Sequence, residues 1–143
     1  MELKDKIIVV TGAASGIGRA MCVRFAEEGA KHIACVDRDL AGAEETAKMM
    51  GGKAYQVDVA IKDQITGMID TIEADAGPID LFCSNAGISV AGGVEVEDDD
   101  WQRIWEINVM SHVWAARHLV PLMSERGSGY LLNTASAAGL LNQ

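Results

Sequence analysis

At 143 residues the chain is long enough for one domain with a buried core, and 49% hydrophobic with 23% charged residues is an ordinary balance for a globular protein in water. No apolar run approaches the ~20 residues of a membrane-spanning helix, and the opening Met1-Glu2-Leu3-Lys4-Asp5 is charged, unlike a signal peptide. A formal charge of −9 argues against nucleic acid or anionic membrane as partners, since both need a basic surface.

Ile7 to Val10 are four consecutive branched apolar residues, the pattern of a strand covered on both faces in a parallel sheet. Gly12, Gly16 and Gly18 follow at once. Beyond them Ile17, Ala20, Met21, Val23, Phe25 and Ala26 take mostly helical spacing, and Gly29 stops the helix. A strand that turns into a helix through glycines reads as a nucleotide site. Gly12 permits the tight turn, Gly16 removes a side chain where backbone must approach phosphate, and Gly18 lets the helix pack closely on the strand. The helix's first-turn amides then face a pyrophosphate, with the positive end of the helix dipole behind them. Ser15 and Ile17 belong to the same cofactor-binding loop.

His32 to Val36 form a second strand ending in Asp37, nineteen residues beyond Gly18, where a dinucleotide fold places the acid that binds the adenosine ribose hydroxyls. A carboxylate there repels a 2′-phosphate, so the expected cofactor is NAD, with NADP less favoured. Arg38 beside it softens that preference. Leu40 to Met50 make a second helix closed by Gly51-Gly52, and Ala54 to Val57 a third strand running into Asp58-Val59. A helix from about Ile61 carries Ile65, Met68, Ile69 and Ile72 on one face and ends at Gly77-Pro78. Ile79 to Ser84 are the fourth strand, leading into Asn85-Ala86-Gly87.

After a Gly92-Gly93 loop, Asp98-Asp99-Asp100 open a long helix, where capping and the helix dipole explain the acids and no metal is expected. Trp101, Ile104, Trp105, Asn108, Ala115, Leu119 and Met123 follow helical spacing, with the tryptophans and methionines as packing residues and Pro121 kinking the far end. Asn108 is a polar residue on that apolar stripe. His112 and His118 are surface or packing histidines. Gly127-Ser128-Gly129 is a turn, and Tyr130 to Thr134 a fifth strand that ends in Ala135-Ser136-Ala137-Ala138-Gly139. Cys22, Cys35 and Cys83 are odd in number, lack metal-type spacing and sit in apolar patterns, which points to reduced core residues of a cytoplasmic protein.

Alternating strands and helices predict an α/β doubly wound (Rossmann) parallel sheet of order 3-2-1-4-5, with the cofactor crevice at the switch point between strands 1 and 4. Thr11-Gly12-x-x-x-Gly16-Ile17-Gly18 resembles the cofactor loop of the short-chain dehydrogenase/reductase family, and the likeness continues at spaced points to the last residues. That resemblance implies NAD(P)-dependent oxidation of a secondary alcohol or reduction of a ketone, by a homo-oligomer (dimer or tetramer). Asp58 takes the adenine amine and the Val59 backbone flanks the ring. Asn85-Ala86-Gly87 matches the family's Asn-Asn-Ala-Gly, with Ser84 in place of the first Asn. Asn108 holds a water that links the catalytic lysine to solvent, and Ser136 hydrogen-bonds the substrate oxygen. The family's Tyr-x-x-x-Lys pair has no match, because Val59 stands four residues after Tyr55 and Thr134 four after Tyr130. Residues 1–143 therefore read as one dinucleotide-binding domain cut short on its C-terminal side, inactive as it stands.

Overall fold

The computed structural model describes residues 1–137. Five parallel strands form one sheet: β1 (Ile7–Thr11), β2 (His32–Asp37), β3 (Lys53–Gln56), β4 (Leu81–Ser84) and β5 (Tyr130–Asn133), in the order β3-β2-β1-β4-β5. Helices α1 (Gly16–Glu27), α2 (Leu40–Met50) and α3 (Lys62–Asp75) connect the first four strands. The path from β4 to β5 runs through α4 (Asp98–Trp105), a π-helical turn (Glu106–Met110) and α5 (Ser111–Glu125).

Every residue of β1 is buried, which is why its apolar run does not alternate. Its side chains divide between two cores. Ile8 and Val10 meet α1 and α2 through Cys22, Ala43 and Ala47. Ile7 and Val9 face α3 and α5 through Ile65, Ile69, Ile72, Ala115 and Leu119. Two covered faces make the doubly wound sandwich that the alternation of strands and helices predicted.

Local differences from the sequence reading have physical reasons. The third strand begins at Lys53, one residue early, because its register on β2 starts with Ala34 opposite Lys53; Val57 falls just past its last paired residue, with its amide still donating to the Asp37 carbonyl at 2.9 Å and its side chain in the core. The fourth begins only at Leu81: the Ile79 amide and carbonyl are taken by the Glu73 and Arg126 side chains, and Asp80, whose amide donates to the Ile7 carbonyl at 2.9 Å, turns its carboxylate back to Lys6 and the Ile7 amide. The residue capping α4 is Glu97, and no side chain closes that cap; Asp98, Asp99 and Asp100 occupy the first turn, where the dipole favours acids but capping is not their task. The long helix changes geometry at Glu106–Met110, while α5 continues through Pro121 to Glu125. Trp101 and Trp105 are 54% and 53% exposed, so they are not packing residues among the described residues. His118 Nε2 lies 2.7 Å from Asp70 Oδ1, joining α5 to α3. Thr134 falls just past β5, although its amide still donates to the Ser84 carbonyl at 3.0 Å. Ala138 and Gly139, read with Ala135 to Ala137 as the end of the fifth strand, lie outside the described residues. No helix among the described residues is long and apolar enough to cross a membrane.

Candidate functional site

A cleft of about 440 Å³ opens at the C-terminal ends of β1, β2 and β4, the size range of small-molecule sites. All eleven residues expected to bind cofactor line it: Gly12, Ser15, Gly16, Ile17 and Gly18 from the β1–α1 loop, Asp37 from β2, Asp58 and Val59 after β3, and Asn85, Ala86 and Gly87 after β4. Arg38, Val57, Ile88, Ile107 and Thr134 complete the lining.

The loop's glycines are set by geometry. Gly16 has φ +53°, and a Cβ built on it would point into open space, so its place beside the cleft is a cradle that a side chain would fill. Gly18 is the opposite case. A methyl there would overlap the Gly12 carbonyl and crowd the Asn85 amide, so α1 can meet β1 only as glycine. Ser15 caps α1 without a side-chain bond, the first turn holds no acid, and the amides of Gly16, Ile17 and Gly18 have no acceptor inside the helix. The result is a positive helix end open to an anion.

Asp37 stands across from that loop. Its Oδ2 accepts the Ala14 amide and its Oδ1 the Asp39 amide, each at 3.0 Å, which fixes the carboxylate while leaving lone pairs for a diol. Asp58 is held similarly. Its Oδ1 accepts the Ala60 amide at 3.0 Å, and Arg103 of α4 approaches Oδ2 at 3.5 Å.

Asn85 ties three strands' ends together: its Nδ2 donates to the Thr11 carbonyl at 3.1 Å, and its Oδ1 accepts the Thr134 hydroxyl at 3.0 Å. With Asn85 making this tie, Ser84 in the preceding position leaves the cross-strand link intact. Thr11, which the sequence reading gave no role, is the hub. Its buried hydroxyl accepts from the Asn85 and Ala86 amides at 2.9 and 3.0 Å and donates to the Cys83 carbonyl at 3.3 Å. A hydroxyl at the end of a wholly apolar strand was the available signal. Behind the loop, Arg19 bonds the Ala14 carbonyl and the Thr46 hydroxyl, and Thr46 donates to the Ala13 carbonyl at 2.8 Å. That staple had no sequence signal, because its partners lie 27 and 33 positions apart.

The two residues expected to take part in catalysis do not line the cleft. Asn108 sits in the π-helical turn and spends both polar atoms on Ile88: the Ile88 amide donates to Oδ1 at 2.9 Å, and Nδ2 donates to the Ile88 carbonyl at 2.8 Å. It thereby anchors the segment that follows Asn85-Ala86-Gly87. Ser136 is exposed beyond β5, two residues past the cleft residue Thr134.

The sequence pattern of the short chain dehydrogenase family matches residues 6–143. A 3beta-hydroxysteroid dehydrogenase of Mediterraneibacter gnavus is 39% identical over 142 residues, covering 95% of this chain and 51% of that protein. A cyclopentanol dehydrogenase of Comamonas sp. is 34% identical over 146 residues, covering 98% of this chain and 58% of its own length. The chain thus spans about half the length of the curated relatives it matches. Among solved structures, a short-chain dehydrogenase from Novosphingobium aromaticivorans superposes with a TM-score of 0.92 at 27% identity, over 99% of this chain and 56% of that one.

Proposed function

This chain belongs to the short chain dehydrogenase family, and we propose that residues 1–143 are the cofactor-binding half of an oxidoreductase that passes hydride between NAD and a secondary alcohol or its ketone. The observation that carries this reading is the single cleft that joins an anion-ready helix end, a fixed acid at the end of β2 and a second acid after β3. The amides of Gly16 to Gly18 hold the pyrophosphate, Asp37 accepts the adenosine ribose hydroxyls, and Asp58 takes the adenine amine with Val59 against the ring. Asn85, Ala86 and Gly87 keep the strand end small enough for the dinucleotide to lie along it. When bound, the nicotinamide supplies the hydride acceptor or donor.

Ser136 orients the substrate oxygen by donating a hydrogen bond. Asn108 acts as a positioning residue through Ile88 and supports the proton relay. The named relatives favour the alcohol class, since cyclopentanol is a secondary alcohol. The three unpaired thiols favour a cytoplasmic setting, and the family resemblance a homo-oligomer.

Within these 143 residues no tyrosine is followed four places later by lysine, so the same chain binds without turning over. General acid–base catalysis contributes typically about 10²–10⁴-fold, and a loss of that size removes detectable rate. Calorimetric titration with AMP and an assay of secondary alcohols with NAD, following reduced cofactor, separate the two statements. Residues 1–143 should bind AMP and show no turnover above background. Failure to bind AMP refutes the cleft assignment, and clear turnover refutes the assignment of the missing proton donor.

A further inference from the structure

Cys22 on α1 and Cys35 on β2 point into the same core from opposite sides, and their Sγ atoms share a contact of 3.8 Å. Both are fully buried. Cys83 of β4 joins that core, yet Cys35 and Cys83 each pair in register with Val10 from opposite sides of β1. Two strand spacings, roughly 9–10 Å, therefore separate those two backbones, and Cys83 stands apart from Cys35.

We propose that Cys22 and Cys35 form a thiol modification site, a dithiol that a small hydroperoxide converts into a disulfide joining α1 to β2. The Cys35 sulfur, as thiolate, attacks the outer peroxide oxygen; the O–O bond breaks, and the alkoxide or hydroxide leaves and takes up the proton that Cys35 released. Cys35 is then a sulfenic acid. The Cys22 sulfur attacks the Cys35 sulfur, the S–O bond breaks, and hydroxide leaves with the Cys22 proton as water. Two thiols lose two electrons, and one peroxide gains them.

The order of attack follows from the pair's shared hydrogen bond, which lowers the Cys35 thiol below its ordinary value, while the same bond together with burial raises Cys22. Burial alone pushes Cys83 up to about 12, which leaves it almost entirely as thiol at neutral pH. Closing from 3.8 Å to the S–S length of ~2.0 Å takes about 2 Å of approach. Oxidant enters through brief separation of α1 from the sheet, so the reaction runs more slowly than at an exposed thiol. The bond fixes the helix that starts at Gly16 to the strand that ends at Asp37. The Cys22–Cys35 bond forms whether or not a dinucleotide occupies the cleft.

The test is hydrogen peroxide treatment of the whole folded chain, then alkylation in denaturant and peptide mapping. The expected product has lost two hydrogens, links the Cys22 and Cys35 peptides, keeps Cys83 alkylatable and reverts with dithiothreitol. Cys83→Ala should still form the link, and Cys35→Ser should not. A bond to Cys83, oxidation confined to single cysteines, or three thiols left alkylatable after peroxide overturns the proposal. The wild-type map alone decides this, whatever the folding of the variants.

Discussion

Gly16 and Gly18 are two positions apart and respond oppositely to the same added methyl. At Gly18 the new Cβ overlaps the Gly12 backbone, which cannot swing aside, so Gly18→Ala should cost about 2–4 kcal/mol of stability. At Gly16 the methyl meets nothing, and only the positive φ charges about 1–2 kcal/mol. Its volume instead intrudes on the cradle. Gly16→Ala should therefore remain folded and lose AMP affinity, a contrast read by denaturant unfolding beside titration. Equal unfolding midpoints for the two variants would refute it. The glycines were legible because each local backbone demand shows as a missing side chain. Arg19 and Thr46 were not, since a side chain's distant bonding partner leaves no mark on local periodicity.

Among the elements, α3 was the most legible, because its four buried residues, Ile65, Met68, Ile69 and Ile72, repeat at the helical period. Ile69→Ala should cost about 2–5 kcal/mol through lost transfer energy and the cavity left behind. Ile61, 46% exposed at the start of the same helix, should change stability by less than about 0.5 kcal/mol when made Ala. Chemical denaturation of both variants checks the pair, and comparable losses would mean that the burial pattern is misassigned. The connection from β4 to β5 was the least legible. Apolar periodicity there predicted one packed helix, but periodicity marks a face without saying whether anything covers it, and Trp101 and Trp105 stay exposed. Nor does it mark the π-helical turn, whose role is to bring Asn108 onto Ile88.

For the molecule as a whole, the strand order was readable because a phosphate loop after the first strand fixes the switch point and right-handed crossovers fix the rest. Acid stability is a property at this scale. Burial lowers His112 below 6.5, and burial, seconded by the Lys53 charge, lowers His32 likewise. The unfolded chain then binds more protons than the native one, so stability is full above the unfolded-state value and is lost as pH falls below about 6.5. Below that value the unfolding midpoint of the wild type should fall more steeply than that of the His32→Gln, His112→Gln double variant, whose amides take up no proton. Parallel pH profiles would remove the histidines from the account.

Cofactor choice reaches the centre most directly, because it asks whether the acid at the end of β2 meets a ribose. Paired titrations of residues 1–143 with NAD and NADP measure it, in the wild type and in Asp37→Ala. One charge repulsion of ~1–3 kcal/mol predicts NAD binding about 5- to 150-fold more tightly, with the ratio collapsing toward unity in the variant. NADP binding as tightly as NAD, or a ratio untouched by Asp37→Ala, would contradict the placement of the dinucleotide in this cleft.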